Sequence, residues 1–150
     1  MHMFEENIKQ LGIDIPDMSA PLANYVPFKV SEGIVYVSGQ GPVKNGELVY
    51  KGKVGEDISI DDGIKAAELC CINIIAALKK SINGNWNRLD NFLKLGGFVN
   101  CNNDFYDQPI IINGASDLLV KIFGDQGRHS RFAVGSNSLP MNISVEIDAI

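Results

Sequence analysis

The sequence predicts an α+β fold in which a mixed sheet carries two helices on one face. Two long segments, near residues 59–83 and 109–124, place apolar residues at helical spacing. Several short segments rich in β-branched and aromatic residues have the composition of strands. The strands come first and are then separated by the two helices, an order typical of an α+β sandwich with both helices on the same side.

The N-terminal part is predicted to contain a short helix, a loop and a hairpin. Residues 4–12 form the helix, which ends at Gly12. Residues 16–27 contain three prolines and are therefore extended or looped. Residues 28–38 read as strand with a turn near Glu32-Gly33, and Gly39 with Gly41-Pro42 stops it.

A second hairpin and the clearest helix follow. Asn45-Gly46 is a hairpin turn signal, so residues 47–50 are expected to return as a strand. Ser59-Ile60-Asp61-Asp62 has the form of a capping box, which predicts a helix start. Asn83-Gly84 ends this helix, whose apolar side consists of Ile64, Ala67, Cys71, Ile74, Ile75 and Leu78.

The C-terminal half is predicted as strand, helix, strand and strand. Residues 92–100 form the first of these strands, and Gly96-Gly97 indicates either a bulge or close packing. The helix begins near Pro109 and is capped by Gly124. The last strands cover residues 131–136 and 143–149, and pairing them as a hairpin would bring Glu146 opposite Arg131.

Length and charge limit the possible functions. The 150 residues fit one domain, 1–150, in which 1–15 form an N-terminal extension. The net charge of −5 disfavours nucleic-acid binding, because no run of Lys and Arg offsets it. The densest cationic group, sufficient for one small anion, is Lys121, Arg128, His129 and Arg131.

The cysteine count and the hydropathy pattern indicate a cytoplasmic protein. Three cysteines, two of them adjacent, do not suggest a disulfide framework, and Cys70 and Cys71 fall on a helix where they serve core packing. We expect no metal and no cofactor, since two histidines and scattered thiols do not form a zinc pattern. No apolar run reaches the roughly 20 residues of a membrane helix, so we expect no membrane contact.

Arg131 is the first candidate site residue. It stands at the mouth of an apolar strand, where a permanent charge is costly unless an anion meets it. A guanidinium matches a carboxylate with two parallel hydrogen bonds. The alternative is a solvated arginine, or one paired with Glu146 or Asp148 for structural reasons.

Glu146, Ser38 and Gly39 are further candidates. Glu146 lies on the polar side of the last strand and could orient water or accept a proton, or it could be a plain solvated carboxylate. Ser38 and Gly39 end a strand and could offer a hydroxyl and a backbone N–H. A serine nucleophile is not expected, because His129 has no orienting partner recognisable in the sequence.

Several segments from about residue 16 to the end have a recognisable order and spacing. They are Ala20-Pro21, Tyr25, Val35-Tyr36-Val37-Ser38-Gly39-Gln40-Gly41-Pro42, residues 52–55, Ala66-Ala67, Arg131, Leu139-Pro140 and Val145-Glu146-Ile147-Asp148-Ala149-Ile150. Together they resemble the YjgF/Rid family, also called endoribonuclease L-PSP-like. The longer stretches at 113–119 and 127–135 indicate a divergent subgroup.

The resemblance implies a chorismate-mutase-like fold assembled as a homotrimer, with clefts between subunits. It implies hydrolysis of reactive 2-enamino or 2-imino acids to 2-keto acids and ammonia, with a small carboxylate-bearing metabolite as ligand. The family's arginine and C-terminal glutamate fall on Arg131 and Glu146. Its tyrosine, Ser-Gly pair and helix asparagine fall on Tyr25, Ser38 with Gly39, and Asn113.

From these assignments we expect Arg131 to hold the carboxylate and Glu146 to position water. Ser38 and Gly39 would orient the substrate and Tyr25 would cover it. The sequence departs from the family after the arginine, where Phe132 and Ala133 replace a small polar residue and a cysteine. A trimer that binds a carboxylate or a partner without turnover, and an endoribonuclease or translation inhibitor, remain the alternatives.

Overall fold

The structure is a computed structural model that describes residues 1–18 and 24–150. Within these residues the helices are α1 (Met3–Gln10), α2 (Ile60–Ser81) and α3 (Gln108–Phe123), with short 3₁₀ turns at Trp86–Arg88, Gly124–Gly127 and Pro140–Asn142. The strands are β1 (Phe28–Ser31), β2 (Ile34–Gln40), β3 (Val43–Lys44), β4 (Glu47–Leu48), β5 (Lys94–Asn100), β6 (Ser130–Ser136) and β7 (Val145–Ala149). Ala20-Pro21 and the middle of the predicted 16–27 loop lie outside the described residues.

Five strands form a mixed sheet in the order β1-β2-β7-β5-β6. Only β5 and β6 are parallel, and the other neighbours are antiparallel. The helices α2 and α3 pack together on one face, which confirms the predicted α+β fold. The last two strands do not pair as a hairpin, because β5 lies between β6 and β7, so Glu146 does not lie opposite Arg131.

The connection from β6 to β7 crosses the end of β5 and is held there by side chains. Asn100 is buried and donates from Nδ2 to the carbonyl of Ile143 at 3.0 Å. Lys53 donates from Nζ to Asn100 Oδ1 at 3.2 Å and also to the carbonyl of Asn137. These hydrogen bonds satisfy the amide of the buried Asn100 side chain and the backbone carbonyl of Ile143.

The core lies between the sheet and the two helices. Alternate residues of β5 and β7 face the helices and are fully or almost fully buried: Leu95, Val99, Val145, Ile147 and Ala149. Cys70 and Cys71 are buried with them on α2, as expected for core packing. Burial raises the pKa of both thiols well above the ordinary value, because the thiolate loses its hydration.

Glycines allow the closest contacts of the sheet. β5 is regular, so Gly96 and Gly97 serve close packing and do not form a bulge. A Cβ on Gly96 would collide with Asp148 and Phe132, and one on Gly97 with Ile112. The irregularity lies in β2, where the register against β7 shifts between Val37 and Gln40.

The N-terminal half follows the local signals closely. Glu32 and Gly33 both have positive φ in the turn between β1 and β2, and Asn45 and Gly46 do so between β3 and β4. The second hairpin is shorter than predicted, because β4 ends at Leu48. Helix α1 packs Phe4 against Phe123, with ring centroids 4.9 Å apart.

Among residues 1–18 and 24–150, no helix combines the length and the apolar character needed to cross a membrane.

Candidate functional site

Arg131 points toward the helices. It pairs across the parallel ladder with Leu95, a fully buried residue on the helix-facing side of β5. Its Nη1 donates to Ser116 Oγ at 3.1 Å and its Nη2 to the Pro109 carbonyl at 3.3 Å, so α3 holds the guanidinium. A guanidinium has five N–H groups, and these two bonds leave three for a ligand.

The half-buried guanidinium of Arg131 has no carboxylate partner among the described residues, where the ion pairs are Lys65–Asp62 and Arg128–Asp125. Within one protomer, the alternative of a structural pair with Glu146 or Asp148 is wrong. Both carboxylates lie on strand β7 at positions that face away from the helices. An unneutralised charge in such a place favours an external anion.

Asn113 lies on the same side of α3 as the contacts of Arg131. It is four residues after Pro109 and three before Ser116, which places the three positions on one helical face. Asn113 is exposed. The structure therefore brings Asn113 and Arg131 to the same side of the fold.

Ser116 and His129 complete the cluster around Arg131, and the sequence does not indicate that these two residues form a pair. His129 Nε2 lies 2.8 Å from Ser116 Oγ, and His129 Nδ1 lies 2.7 Å from the Gly127 carbonyl. His129 thus has an orienting partner after all, supplied by the backbone. The signal in the sequence was the spacing of His129 and Arg131, since residues two apart along an extended segment share a face.

Glu146, Ser38 and Gly39 form a second cluster on the opposite face of the sheet. Glu146 pairs with Phe98 of β5, three residues along from Leu95 and thus on the other face. Its carboxylate packs against Gly39, where a Cβ would collide with it. The β2 irregularity brings the Gly39 backbone this close, in the manner of a bulge that redirects a strand beside a site.

The carboxyl of Glu146 is half-buried, and its pKa is raised. The larger cause is loss of hydration on burial, and the smaller is the negative charge of Asp148 on the same face. Asp148, which the sequence suggests as a structural partner for Arg131, thus acts instead on Glu146. Because its pKa is raised, the Glu146 carboxyl takes up and releases a proton at a pH closer to neutral than an ordinary glutamate does.

Ser38 links the Tyr25 segment to this cluster. Its Oγ donates to the Val26 carbonyl at 2.6 Å, and its N–H donates to the Pro27 carbonyl at 2.9 Å. The hydroxyl proton is therefore engaged within the chain. Tyr25, next to Val26, is 62% exposed and leaves its ring free to meet a ligand or another chain.

The whole chain was compared with known proteins. Residues 5–147 match the family described as "YjgF/chorismate mutase-like, putative endoribonuclease". The chain belongs to the YjgF/chorismate mutase-like family. The curated protein TCP17 of Trypanosoma cruzi is 36% identical over 145 residues, covering 96% of this chain and 90% of that protein.

Two solved structures extend the match to three dimensions. Atu1372 of Agrobacterium tumefaciens, a protein of unknown function, is 44% identical with a TM-score of 0.91, covering 98% of this chain and 90% of that one. A Shewanella oneidensis MR-1 protein, also described as a "putative endoribonuclease", is 32% identical with a TM-score of 0.93, covering 99% and 97%.

In this YjgF-family chain, the two departures after Arg131 fall on different faces. Ala133 shares the helix-facing side with Arg131, where the family resemblance led us to expect a cysteine. Phe132 lies on the outer face, packs edge-on against Phe98 at 5.3 Å and carries Lys94 Nζ 5.4 Å from its ring centroid. Phe132 therefore alters the surroundings of Glu146 and Asp148 and leaves the Arg131 cluster unchanged.

Proposed function

We propose that this protein hydrolyses small 2-imino or 2-enamino acids to 2-keto acids and ammonia, at a site shared between the subunits of a homotrimer. One observation supports this proposal most strongly. Arg131 is a half-buried guanidinium that α3 orients by two hydrogen bonds and that has no carboxylate partner among the described residues. The missing anion is the carboxylate of the substrate.

Binding of the substrate carboxylate to Arg131 would fix the position of the reacting carbon. In a 2-imino acid the C=N carbon is bonded directly to the carboxylate carbon, so binding at Arg131 holds it near α3. An iminium carbon is already electrophilic, and positioning with modest acid–base assistance suffices for addition of water. Asn113, on the same side of α3, is placed to contact the amino or carboxylate group.

Glu146 is proposed to position the attacking water. Its carboxyl oxygens accept hydrogen bonds and would hold a water molecule beside the bound substrate. Within one protomer, however, Glu146 and Arg131 lie on opposite faces of the sheet. They would serve one substrate only if Glu146 of one copy meets Arg131 of another.

The outer face of the sheet supports assembly into such a trimer. Tyr36, Phe98 and Val134 are exposed there, and Phe132 is only half-buried. None of the described helices covers this face, since α2 and α3 pack on the other one. Association with further copies would bury these apolar side chains and bring the Glu146 cluster to a neighbour.

The decisive experiment generates 2-iminobutanoate or 2-aminoacrylate in situ and follows formation of the 2-keto acid. Arg131→Gln is compared with wild type, and Arg128→Gln is the matched control, because Arg128 is exposed and pairs only with Asp125 in the described structure. We expect Arg131→Gln to lower kcat/KM by about 100-fold or more, the loss of charge-assisted bonds worth roughly 3 kcal/mol. Arg128→Gln should retain the wild-type rate.

Equal rates for Arg131→Gln and wild type would overturn the assignment. Saturable binding of a 2-keto acid without turnover would instead indicate a carboxylate-sensing protein. Light scattering on the same samples tests the trimer, which should have three times the 16.3 kDa mass of the chain. The mass alone does not distinguish turnover from binding.

The family description also includes RNA cleavage. The net charge of −5 and the absence of any Lys and Arg run from the sequence count against an RNA groove. RNA cleavage that copurifies with the protein and persists in Arg131→Gln would support that activity at a different site. For the imine hydrolase we propose a cytoplasmic location, in keeping with three free, buried cysteines.

A further inference from the structure

Ser116 lies between His129 and Arg131 and is hydrogen-bonded to both. Ser116 Oγ lies 2.8 Å from His129 Nε2 and 3.1 Å from Arg131 Nη1. We propose that Ser116 and His129 form a proton relay that takes the proton of the attacking water and returns it to the departing ammonia. This inference rests on the proposed hydrolysis and adds to it two residues on the Arg131 side of the site.

The contacts define the direction of the relay. His129 Nδ1 lies 2.7 Å from the Gly127 carbonyl, which can only accept, so in the neutral ring Nδ1 carries the proton. His129 Nε2 is then the acceptor, and the Ser116 hydroxyl donates to it. Arg131 in turn donates to Ser116 Oγ, which stabilises negative charge on that oxygen.

This arrangement has the parts of a serine–histidine pair with a backbone carbonyl as the orienting group. The hydroxyl is part-buried and lies beside the guanidinium that would hold the substrate carboxylate. The reacting carbon, one bond from that carboxylate, would therefore be close to Ser116. General base assistance of this kind contributes about 10²–10⁴-fold to a rate.

The proposed step balances as follows. Water adds to the iminium carbon, the π electrons of C=N move to nitrogen, and a water proton passes to Ser116 Oγ while the Ser116 proton moves to His129 Nε2. The relay then runs backward and protonates the amine of the carbinolamine. The C–N bond breaks, ammonia leaves with the electron pair, and the hydroxyl proton passes to that ammonia, so iminium plus water gives keto acid plus ammonium.

The relay and Glu146 have different tasks. Glu146 of a neighbouring copy would position the water, whereas Ser116 and His129 of the Arg131 copy would accept its proton. The charged groups on the elements around the imidazole are Arg131 on β6, Asp117 and Lys121 on α3, and Asp125 and Arg128 before the strand. In the described structure Arg131 is the one that contacts Ser116, while Asp125 and Arg128 pair with each other.

The test compares His129→Gln and Ser116→Ala with wild type. A glutamine amide oxygen can accept the Ser116 hydrogen bond but takes no proton, so this change separates orientation from proton transfer. The measurements are kcat and KM for 2-keto acid formation from pH 5 to 9, and binding of the 2-keto acid product by calorimetry. The controls are His2→Gln, the other histidine of the sequence, and Ser130→Ala, whose hydroxyl donates to the Leu93 carbonyl.

We expect both relay variants to lower kcat by about 100-fold. Product affinity should stay within roughly twofold of wild type in His129→Gln, whereas Ser116→Ala also removes a hydrogen bond to Arg131 and should lose some affinity. The wild-type kcat should fall at acidic pH, because an imidazolium cannot accept a proton from Ser116. This decline should be absent from His129→Gln. Both controls should keep the wild-type kcat and pH profile.

A wild-type kcat in His129→Gln would overturn the relay, and so would a loss of product affinity in that same variant as large as its loss of kcat. These outcomes are distinguishable from failure of the proposed function. If Arg131→Gln loses turnover and His129→Gln does not, only the relay is wrong. If the wild-type protein forms no keto acid above the spontaneous rate, the hydrolase assignment is wrong and the relay with it.

Discussion

Arg131 and Glu146 lie on opposite faces of the central sheet. Arg131 pairs with Leu95 and Glu146 with Phe98, and these two β5 residues are three apart, which sets their side chains on different faces. Because β5 separates their strands, no local rearrangement of one protomer brings the guanidinium and the carboxylate together. Joint action on one small ligand requires two copies, and this makes assembly part of the proposed chemistry.

The first prediction concerns that assembly. Phe98→Ser should shift the proposed trimer toward monomer, because Phe98 is an exposed aromatic side chain on the outer face, which none of the described helices covers. Removal of a central apolar anchor should weaken association by at least about tenfold. Light scattering over a concentration series measures this, and turnover should fall in parallel with the trimer fraction.

Tyr106→Ser is the control for this prediction, since Tyr106 is more exposed and lies in the loop before α3. It should leave the mass unchanged. If Phe98→Ser remains a trimer with wild-type turnover, the outer face of the sheet is not the interface.

The second prediction concerns stability and pH. Burial and Asp148 raise the pKa of Glu146, so its charged form is disfavoured in the folded state. The folded protein then loses stability as the pH rises from the ordinary glutamate pKa through the raised value. Glu146→Gln removes this cost and should raise Tm at neutral pH, with the gain disappearing at a pH below the ordinary glutamate range.

Thermal unfolding at several pH values provides the measurement, with the exposed Glu47→Gln as the matched control. A Tm gain of Glu146→Gln that is the same at every pH would contradict the assignment of the effect to this ionisation. The same variant should lose turnover if Glu146 positions water, which separates stability from activity.

The third prediction concerns the approach of β2 to Glu146. Gly39→Ala places a Cβ against the Glu146 carboxylate, so either the strand or the side chain must move. We expect a loss of about 1–3 kcal/mol in the free energy of unfolding, as for other overpacked sites. Denaturant unfolding measures it.

Gly41→Ala, two residues further along, is the comparison for Gly39→Ala. The nearest atom to its added Cβ is the terminal methyl of Ile143 at 3.1 Å, which can turn aside. It should cost clearly less. Equal costs at both positions would show that the contact with Glu146 is not what requires glycine at residue 39.

The fourth prediction concerns the connection that crosses the end of β5. Asn100→Ala removes the donor to the Ile143 carbonyl and the acceptor of Lys53, leaving buried polar groups unsatisfied. The expected cost is about 1–3 kcal/mol in the free energy of unfolding. Asn103→Ala, an exposed change in the following loop, should leave the free energy of unfolding unchanged. Equal losses of stability in the two variants would contradict the role of Asn100 in holding the connection.

The secondary structure was largely predictable because its signals are local. Asn45-Gly46 and Glu32-Gly33 adopt the positive φ values that tight hairpins need, and Ser59 accepts a hydrogen bond from Asp62 as a helix cap does. Strand pairing was less predictable. Strands β6 and β7 follow each other in sequence, yet each pairs with β5, which comes from about 30 residues before β6.

The candidate site divides in the same way. Arg131 could be proposed from its residue type and its place at a strand mouth, whereas its partnership with Ser116 could not, because the helix and the strand meet only on folding. The sequence does not reveal the group that orients His129, because that group is a backbone carbonyl, which every residue has and no sequence pattern marks. The raised pKa of Glu146 likewise arises from burial.

By itself, the amino-acid sequence determined the α+β class, the positions of the helices and turns, and Arg131 as a candidate for binding an anion. These follow from periodicity, glycine conformations and side-chain chemistry, which act within a few residues. Only the tertiary structure decided that Arg131 and Glu146 face opposite sides of the sheet and that Ser116 joins His129 to Arg131. The physical reason is that face and neighbour are set by strand order and register, which arise from contacts between distant parts of the chain.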